Sequence, residues 1–218
     1  MNNSSPVDFI RTNTTVATTP LLPEIRLHLA TEVTPLWQAT EEVLAASDLP
    51  PPYWAFAWPG GQAVARLVLD RPELVAGKSV LDFAAGTGLV GIAAKLAGAA
   101  RVQSCDIDRF ALAAIGLNAE ANGVEVKAVS ADLVGRELPG IDVVLAGDVC
   151  YERPMAERVT TWLRTIAATG TLVLLGDPGR AYVPTTGIER VGGYTVPTSL
   201  ELEDRETRDT VIWRLLPE

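Results

Sequence analysis

Only one histidine and two cysteines stand among the 218 residues. His28 on its own excludes multi-histidine metal sites, and Cys105 and Cys150 are too far apart for a zinc knuckle or a CxxC redox pair. So few cysteines suit the cytosol or another reducing compartment. Apolar runs are short, each broken by Gly, Asp or Lys well before the roughly 18 residues that a membrane span needs. Positive charge is scarce as well. Eighteen Lys and Arg oppose 27 Asp and Glu, giving a net charge of −9, and no basic stripe marks a nucleic-acid surface. Apolar residues, in contrast, make up 48% of the chain, enough to core one domain and too many for a disordered protein.

Residues 1–20 are rich in Ser, Thr and Asn. They lack the apolar segment of a secretory signal, carry a single Arg, and read as a flexible leader. A helical extension is expected over 21–49. Ile25, Leu27, Leu29 and Val33 form its first helix, and Leu36, Trp37, Val43 and Leu44 a second one starting at Thr34-Pro35. Leu49-Pro50-Pro51-Pro52 then forces an extended connection into the main domain, residues 50–218.

That domain alternates strand and helix. Strands are expected at 78–84, 101–106, 124–129, 141–147 and 171–176, with helices at 62–70, 88–98, 109–122 and 153–168. Short Val/Leu/Ile-rich strands separated by helices imply an α/β fold with a parallel sheet and right-handed crossovers. Past Gly176 the pattern changes. Tyr194 to Leu202 and Thr210 to Leu216 alternate apolar and polar residues around the turn Glu203-Asp204-Arg205-Glu206, which predicts a closing antiparallel hairpin with Glu201 to Glu206 as a solvated face.

Val80-Leu81-Asp82-Phe83-Ala84-Ala85-Gly86-Thr87-Gly88-Leu89-Val90-Gly91 runs from strand through glycine turn to helix. Gly86, Gly88 and Gly91 also satisfy the dinucleotide pattern GxGxxG, with Asp106 at the end of the next strand. Charge separates the two readings. A diphosphate seeks helix amides and repels an acid such as Asp82 just ahead of the glycines. S-adenosylmethionine has no phosphate and carries a cationic sulfonium and ammonium, which Asp82 attracts directly or through water. A structural βα turn without a ligand is the plainer alternative.

The acid-then-glycine order resembles motif I of the seven-stranded methyltransferases, with Ala84 at the first glycine position, where a methyl is tolerable if no positive φ is required. On that resemblance the fold is a seven-stranded, Rossmann-like methyltransferase sheet. Gly86 and Gly88 form the cofactor turn, Asp106 accepts the ribose hydroxyls, and Ile107 covers adenine. Asp132, with Leu133 beside it, meets the adenine amino group. Each of these acids alone is also an ordinary helix cap, and Asp108 is read as one.

The fourth strand ends in Asp148-Val149-Cys150-Tyr151. Amino-methyltransferases of adenine and glutamine carry two prolines here; this chain has neither. Asp-x-x-Tyr resembles the seven-stranded protein-lysine methyltransferases. Pro52-Tyr53-Trp54-Ala55-Phe56-Ala57-Trp58-Pro59-Gly60-Gly61-Gln62 and Gly176-Asp177-Pro178-Gly179-Arg180 resemble the enzymes that methylate lysines on the β-subunit of electron transfer flavoprotein. The likeness covers roughly residues 50 to 216. It implies catalytic roles for Asp148 and Tyr151, cofactor contacts for Trp58 and Gly60, no metal, and a protein substrate, the flavoprotein β-subunit, rather than nucleic acid or membrane. A small-molecule amine or ribosomal-protein N-methyltransferase is the alternative. Trp54 and Phe56 read equally as core, Cys150 as a buried filler, and His28 as structural or solvent-exposed. A bacterial cytoplasm is favoured over a mitochondrial matrix.

Overall fold

The computed structural model describes residues 5–30 and 51–217. The chain enters as helix α1 (Pro6–Asn13), whose N-cap Ser5 accepts the Asp8 amide through its hydroxyl oxygen. Strands β1 (Thr15–Thr19) and β2 (Leu22–Leu29) follow as an antiparallel hairpin. The expected flexible leader is therefore corrected over residues 5–20. Ile10 is fully buried, and the Phe9 ring packs edge-on against Trp54 and Phe110. Ser, Thr and Asn here cap a helix and build a short β-branched strand, tasks that share their composition with disorder.

The helix expected from Glu24 is likewise corrected to strand β2. Ile25, Leu27 and Leu29 recur every second residue, the strand period. Asn118 and Asn122 seal the outer edge of this strand: the His28 amide donates to Asn118 Oδ1 (2.7 Å) and the Arg26 amide to Asn122 Oδ1 (2.9 Å). The second expected helix, from Thr34-Pro35, lies outside the described residues.

A 3₁₀ turn at Tyr53–Ala55 leads into helix α2 (Pro59–Asp70), with Pro59 in its first turn. Then come β3 (Ser79–Phe83), α3 (Leu89–Leu96), β4 (Arg101–Asp106), α4 (Arg109–Ala121), β5 (Lys127–Ser130), β6 (Val143–Gly147), α5 (Arg153–Ala168) and β7 (Leu172–Asp177). These follow the expected alternation closely. The closing hairpin is β8 (Ile188–Pro197) and β9 (Thr207–Leu215), joined through the one-turn helix α6 (Leu200–Glu203).

The first strand of that hairpin is corrected from 194–202. It starts at Ile188, where Gly192-Gly193 and a bulge near Arg190 interrupt the alternation, and Pro197 ends it. Glu203 is also corrected: expected on a solvated face, it is only 3% exposed.

Seven strands order as β5-β4-β3-β6-β7-β9-β8, parallel through β7, with β9 antiparallel to both neighbours. One set of core residues, including Val80, Val143 and Leu145, packs with Val64, Leu67 and Ile92 of α2 and α3. Leu81, Val144 and Val173 point the other way and meet Val159, Leu163 and Ile166 of α5. A parallel sheet buried on both faces needs such continuous apolar runs. The chain leaves β3 toward β5 and returns to β6 on the other side, so β3 and β6 flank the switch point at which α/β sheets open a crevice.

Candidate active site

The glycine turn takes its shape from three residues with positive φ: Ala84 (53°), Gly86 (50°) and Gly88 (75°). For Ala84 this overturns the condition set by the sequence reading, since its methyl sits in the left-handed region at a cost of about 1–2 kcal/mol. A Cβ at Gly91 would lie 2.2 Å from Ser104 Oγ and 3.0 Å from Asp82 Oδ2. Glycine there lets α3 close onto the sheet.

Asp82 is sealed beneath the turn. Its Oδ2 accepts the Gly91 amide and the Ser104 hydroxyl, both at 2.9 Å, and burial pushes its carboxyl up to about 7. It braces the turn and takes no part in the cavity wall, which corrects the direct attraction to a ligand expected of it. Gly88 is equally structural, with Ile115 Cγ1 only 3.0 Å from where a Cβ would stand.

Above the turn lies a cavity of about 440 Å³, walled by Tyr53, Trp54, Phe56, Trp58, Ala84, Gly86, Asp106, Ile107, Asp148 and Tyr151 among others. Asp106 fastens the turn from the wall. Its Oδ2 accepts the Gly86 amide at 2.9 Å and its Oδ1 the Asp108 amide at 3.0 Å. Asp108 caps α4 through the Phe110 amide, as read from sequence, and also reaches the wall. Ile107 is 76% exposed on the rim. Asp132 and Leu133 do not line this cavity: Asp132 accepts the Val134 amide and sits 3.7 Å from Arg158, while Leu133 packs against the apolar core.

The aromatic block forms the roof. Trp54 is both core and wall, stacked on Phe110 at 5.9 Å. Trp58 donates its indole N–H to the Tyr53 carbonyl (2.9 Å), and its ring meets Tyr53 and Phe56 edge-on. Tyr53 in turn lies 5.6 Å from the half-exposed Tyr151 ring. Gly60 faces inward instead of toward the cavity. A Cβ on it would come within 2.3 Å of the Gly176 carbonyl oxygen and 2.6 Å of Asp148 Oδ2. Its absence of side chain seats α2 on the ends of β6 and β7.

That close approach sets the geometry of Asp148, which continues from β6 with φ 57°. Its backbone amide donates to the Gly176 carbonyl, and its Oδ2 accepts the Gly61 amide at 2.9 Å, at the positive end of α2. Burial pushes the carboxyl up to about 7, opposed by the Gly60 and Gly61 amides and by Arg180, and reinforced by Asp177. Oδ1 is buried and accepts no hydrogen bond among the described residues. Burial also pushes the Tyr151 hydroxyl up to about 12, so it is a neutral phenol.

Residues not assigned from sequence complete the wall: Tyr53, Thr87 and Arg180. Among the described residues Arg180 is the one cation in it. Its motif was visible, but its neighbours come from distant segments and carry no local signal.

The family model "Ribosomal protein L11 methyltransferase" matches residues 67–176. An electron transfer flavoprotein beta subunit lysine methyltransferase of Danio rerio is 38% identical over 214 residues, covering 95% of this chain and 82% of its own. The protein of the same description from Xenopus laevis is 38% identical over 218 residues, covering 97% and 87%. Among solved structures, a putative RNA methyltransferase from Pyrococcus horikoshii superposes with a TM-score of 0.59 at 19% identity, over 83% of this chain and 98% of that one, a likeness of fold.

Proposed function

The chain belongs to the family of the electron transfer flavoprotein beta subunit lysine methyltransferases, and from that premise we propose that it methylates lysines of that β-subunit, with Asp148 receiving the amine. It is an S-adenosylmethionine-dependent protein-lysine N-methyltransferase. One observation carries the assignment of Asp148: one carboxylate oxygen is fixed by the Gly61 amide while the other, buried beside the cavity, has no hydrogen-bond partner among the described residues.

The cavity suits the methyl donor. Among the described residues of the wall, Asp106, Asp108 and Asp148 outnumber the single cation Arg180, and the rest are largely aromatic and aliphatic. Such a wall favours a cationic sulfonium with an adenosine body over a diphosphate. Asp106 and Gly86 would hold the ribose side, Ile107 and Phe56 the adenine, and Trp58 the roof. Gly60, Asp82 and Gly88 shape these contacts from beneath. When bound, S-adenosylmethionine supplies an electrophilic methyl: the amine lone pair forms the C–N bond as the C–S bond breaks, and sulfur keeps the electron pair as S-adenosylhomocysteine.

A lysine ammonium, with pKa near 10.4, must first lose its proton, which costs about 4.6 kcal/mol at neutral pH. Asp148 draws the ammonium in through Oδ1. Its raised pKa, about 7, makes it a stronger proton acceptor than an ordinary aspartate, and matched to neutral operation. Tyr53, Trp58 and Tyr151 offer ring faces to the incoming cation and its methylene stem. With the nitrogen held, in-line positioning supplies most of the acceleration.

The match of the L11 family model to residues 67–176 favours a ribosomal-protein acceptor as the second reading. Incubation with radiolabelled S-adenosylmethionine and a panel of electron transfer flavoprotein, ribosomal protein L11 and free amines tests both. Label in the flavoprotein β-subunit supports the first reading; label confined to L11 or to small amines overturns it. No helix among the described residues is long and apolar enough to cross a membrane. The bacterial cytoplasm expected from sequence gains no support, since the relatives named above come from animals.

A further inference from the structure

Glu203 is a buried acid, and exposed Asp204, Arg205 and Glu206 follow it. Its two oxygens are taken by two arginines. Oε1 accepts from Arg180 Nη2, and Oε2 from Arg208 Nε at 3.0 Å, while Arg208 Nη2 also donates to the Glu203 carbonyl at 2.8 Å. A buried carboxylate is tolerated only with partners of this kind. Arg180 is anchored at its other end as well, because its backbone amide donates to Asp177 Oδ1 at 2.6 Å.

Held at both ends, Arg180 leaves its Nη2 3.8 Å from Asp148 Oδ1. That distance is too long for a hydrogen bond and short enough for a strong charge interaction. The guanidinium therefore favours the ionised carboxylate without taking the lone pairs an amine needs. Among the described residues the cluster sets three carboxyl groups, those of Asp148, Asp177 and Glu203, against the two guanidiniums of Arg180 and Arg208. Asp148 Oδ1, Asp177 Oδ2 and Arg180 Nε are all buried without a hydrogen-bond partner among the described residues. Buried polar atoms left unmet in this way collect at functional sites.

We propose that Arg180, restrained by Glu203, is the positioning residue that keeps Asp148 ionised while leaving Oδ1 open to the substrate amine. The proposal rests on the reading of Asp148 as the amine's receptor. Glu203 acts as a tether: without it, the guanidinium is free to close on Oδ1 and compete with the substrate. The groups facing Asp148 are then the Gly60 and Gly61 amides from α2, Asp177 from β7, Arg180 beyond it, and Cys150 on its own segment.

The test is the pH dependence of kcat/KM for the protein acceptor in Arg180→Gln, Arg180→Lys, Glu203→Gln and Asp148→Asn, each checked for a cooperative melt and for S-adenosylmethionine affinity. Arg180→Gln should lower kcat/KM about fivefold at pH 7 and move its acidic limb up by about one pH unit, so that the deficit shrinks toward pH 9. Arg180→Lys, which keeps the charge, should leave the limb near its wild-type position. Glu203→Gln should raise the acceptor KM several-fold and move the limb down, and it carries the test alone if Arg180→Gln does not fold. An unmoved limb in Arg180→Gln, with the same deficit at every pH, overturns the positioning role while leaving Asp148 in place. Full turnover by Asp148→Asn overturns the reading of Asp148, and the proposal with it.

Discussion

The Gly61 amide donates to Asp148 Oδ2 at 2.9 Å, joining the first turn of α2 to the end of β6 through the carboxylate at the head of the cavity. The joint exists because Gly60 has no side chain. Gly60→Ala would place a methyl 2.3 Å from the Gly176 carbonyl oxygen, against backbone that has nowhere to go. The expected outcome is a melting temperature lowered by several degrees and a loss of turnover larger than the loss of cofactor affinity. Differential scanning fluorimetry and calorimetric titration separate the two effects.

Asp148 gives stability and activity opposite responses to pH. Its carboxyl in the folded protein stands at about 7, above the ordinary 3.8, so the folded state keeps a proton that the unfolded chain releases. The stability this contributes is complete below about pH 4 and is lost as pH rises through 7. Asp148→Asn should therefore match wild type in acid and melt a few degrees higher at pH 8. Methyl transfer by the wild type should rise over the same interval, since only the ionised carboxylate receives the amine. Melting curves and initial rates from pH 4 to 9 check both.

Asp106 fastens the glycine turn and lines the cavity with the same carboxylate. Asp106→Ala should weaken S-adenosylmethionine about ten- to a hundredfold, the usual range for losing charge-assisted hydrogen bonds. Turnover at saturating cofactor should fall much less. Titration calorimetry alongside steady-state kinetics measures the split.

Ala84 stands in a backbone conformation that suits glycine, with φ 53°. Ala84→Gly should relieve about 1 kcal/mol of strain and raise the melting temperature by about 2–4 °C. A fall in melting temperature would show that the methyl's packing outweighs the strain.

The parallel core was legible because its central strands are rich in apolar residues, Val143-Val144-Leu145-Ala146 being a continuous run, and are bounded by turn residues. Asp106, Asp148 and the glycine turn could be placed by their position at strand ends, which the switch-point rule turns into a site. The N-terminal hairpin was not legible. The every-second-residue spacing of Ile25, Leu27 and Leu29 was outweighed by a longer helical count running into residues beyond it, and the side-chain pairing of β2 with Asn118 and Asn122 spans about ninety residues. Glu203 and Arg180 were missed for the same reason. Their meaning depends on each other across 23 positions, and an acid among acids reads as surface. Asp82 and Gly60 were read as cofactor contacts because their motif is the cofactor's, although their side chain, or its absence, acts one layer below the cavity.

The most direct test is intact-mass spectrometry of purified electron transfer flavoprotein after incubation with this protein and S-adenosylmethionine, beside an Asp148→Asn control that still binds the cofactor. Mass steps of one or more methyl groups on the β-subunit, lost in the control, are the predicted result. An unmodified β-subunit under conditions where the protein binds S-adenosylmethionine would contradict the acceptor, and steps of equal size in the control would contradict the role of Asp148.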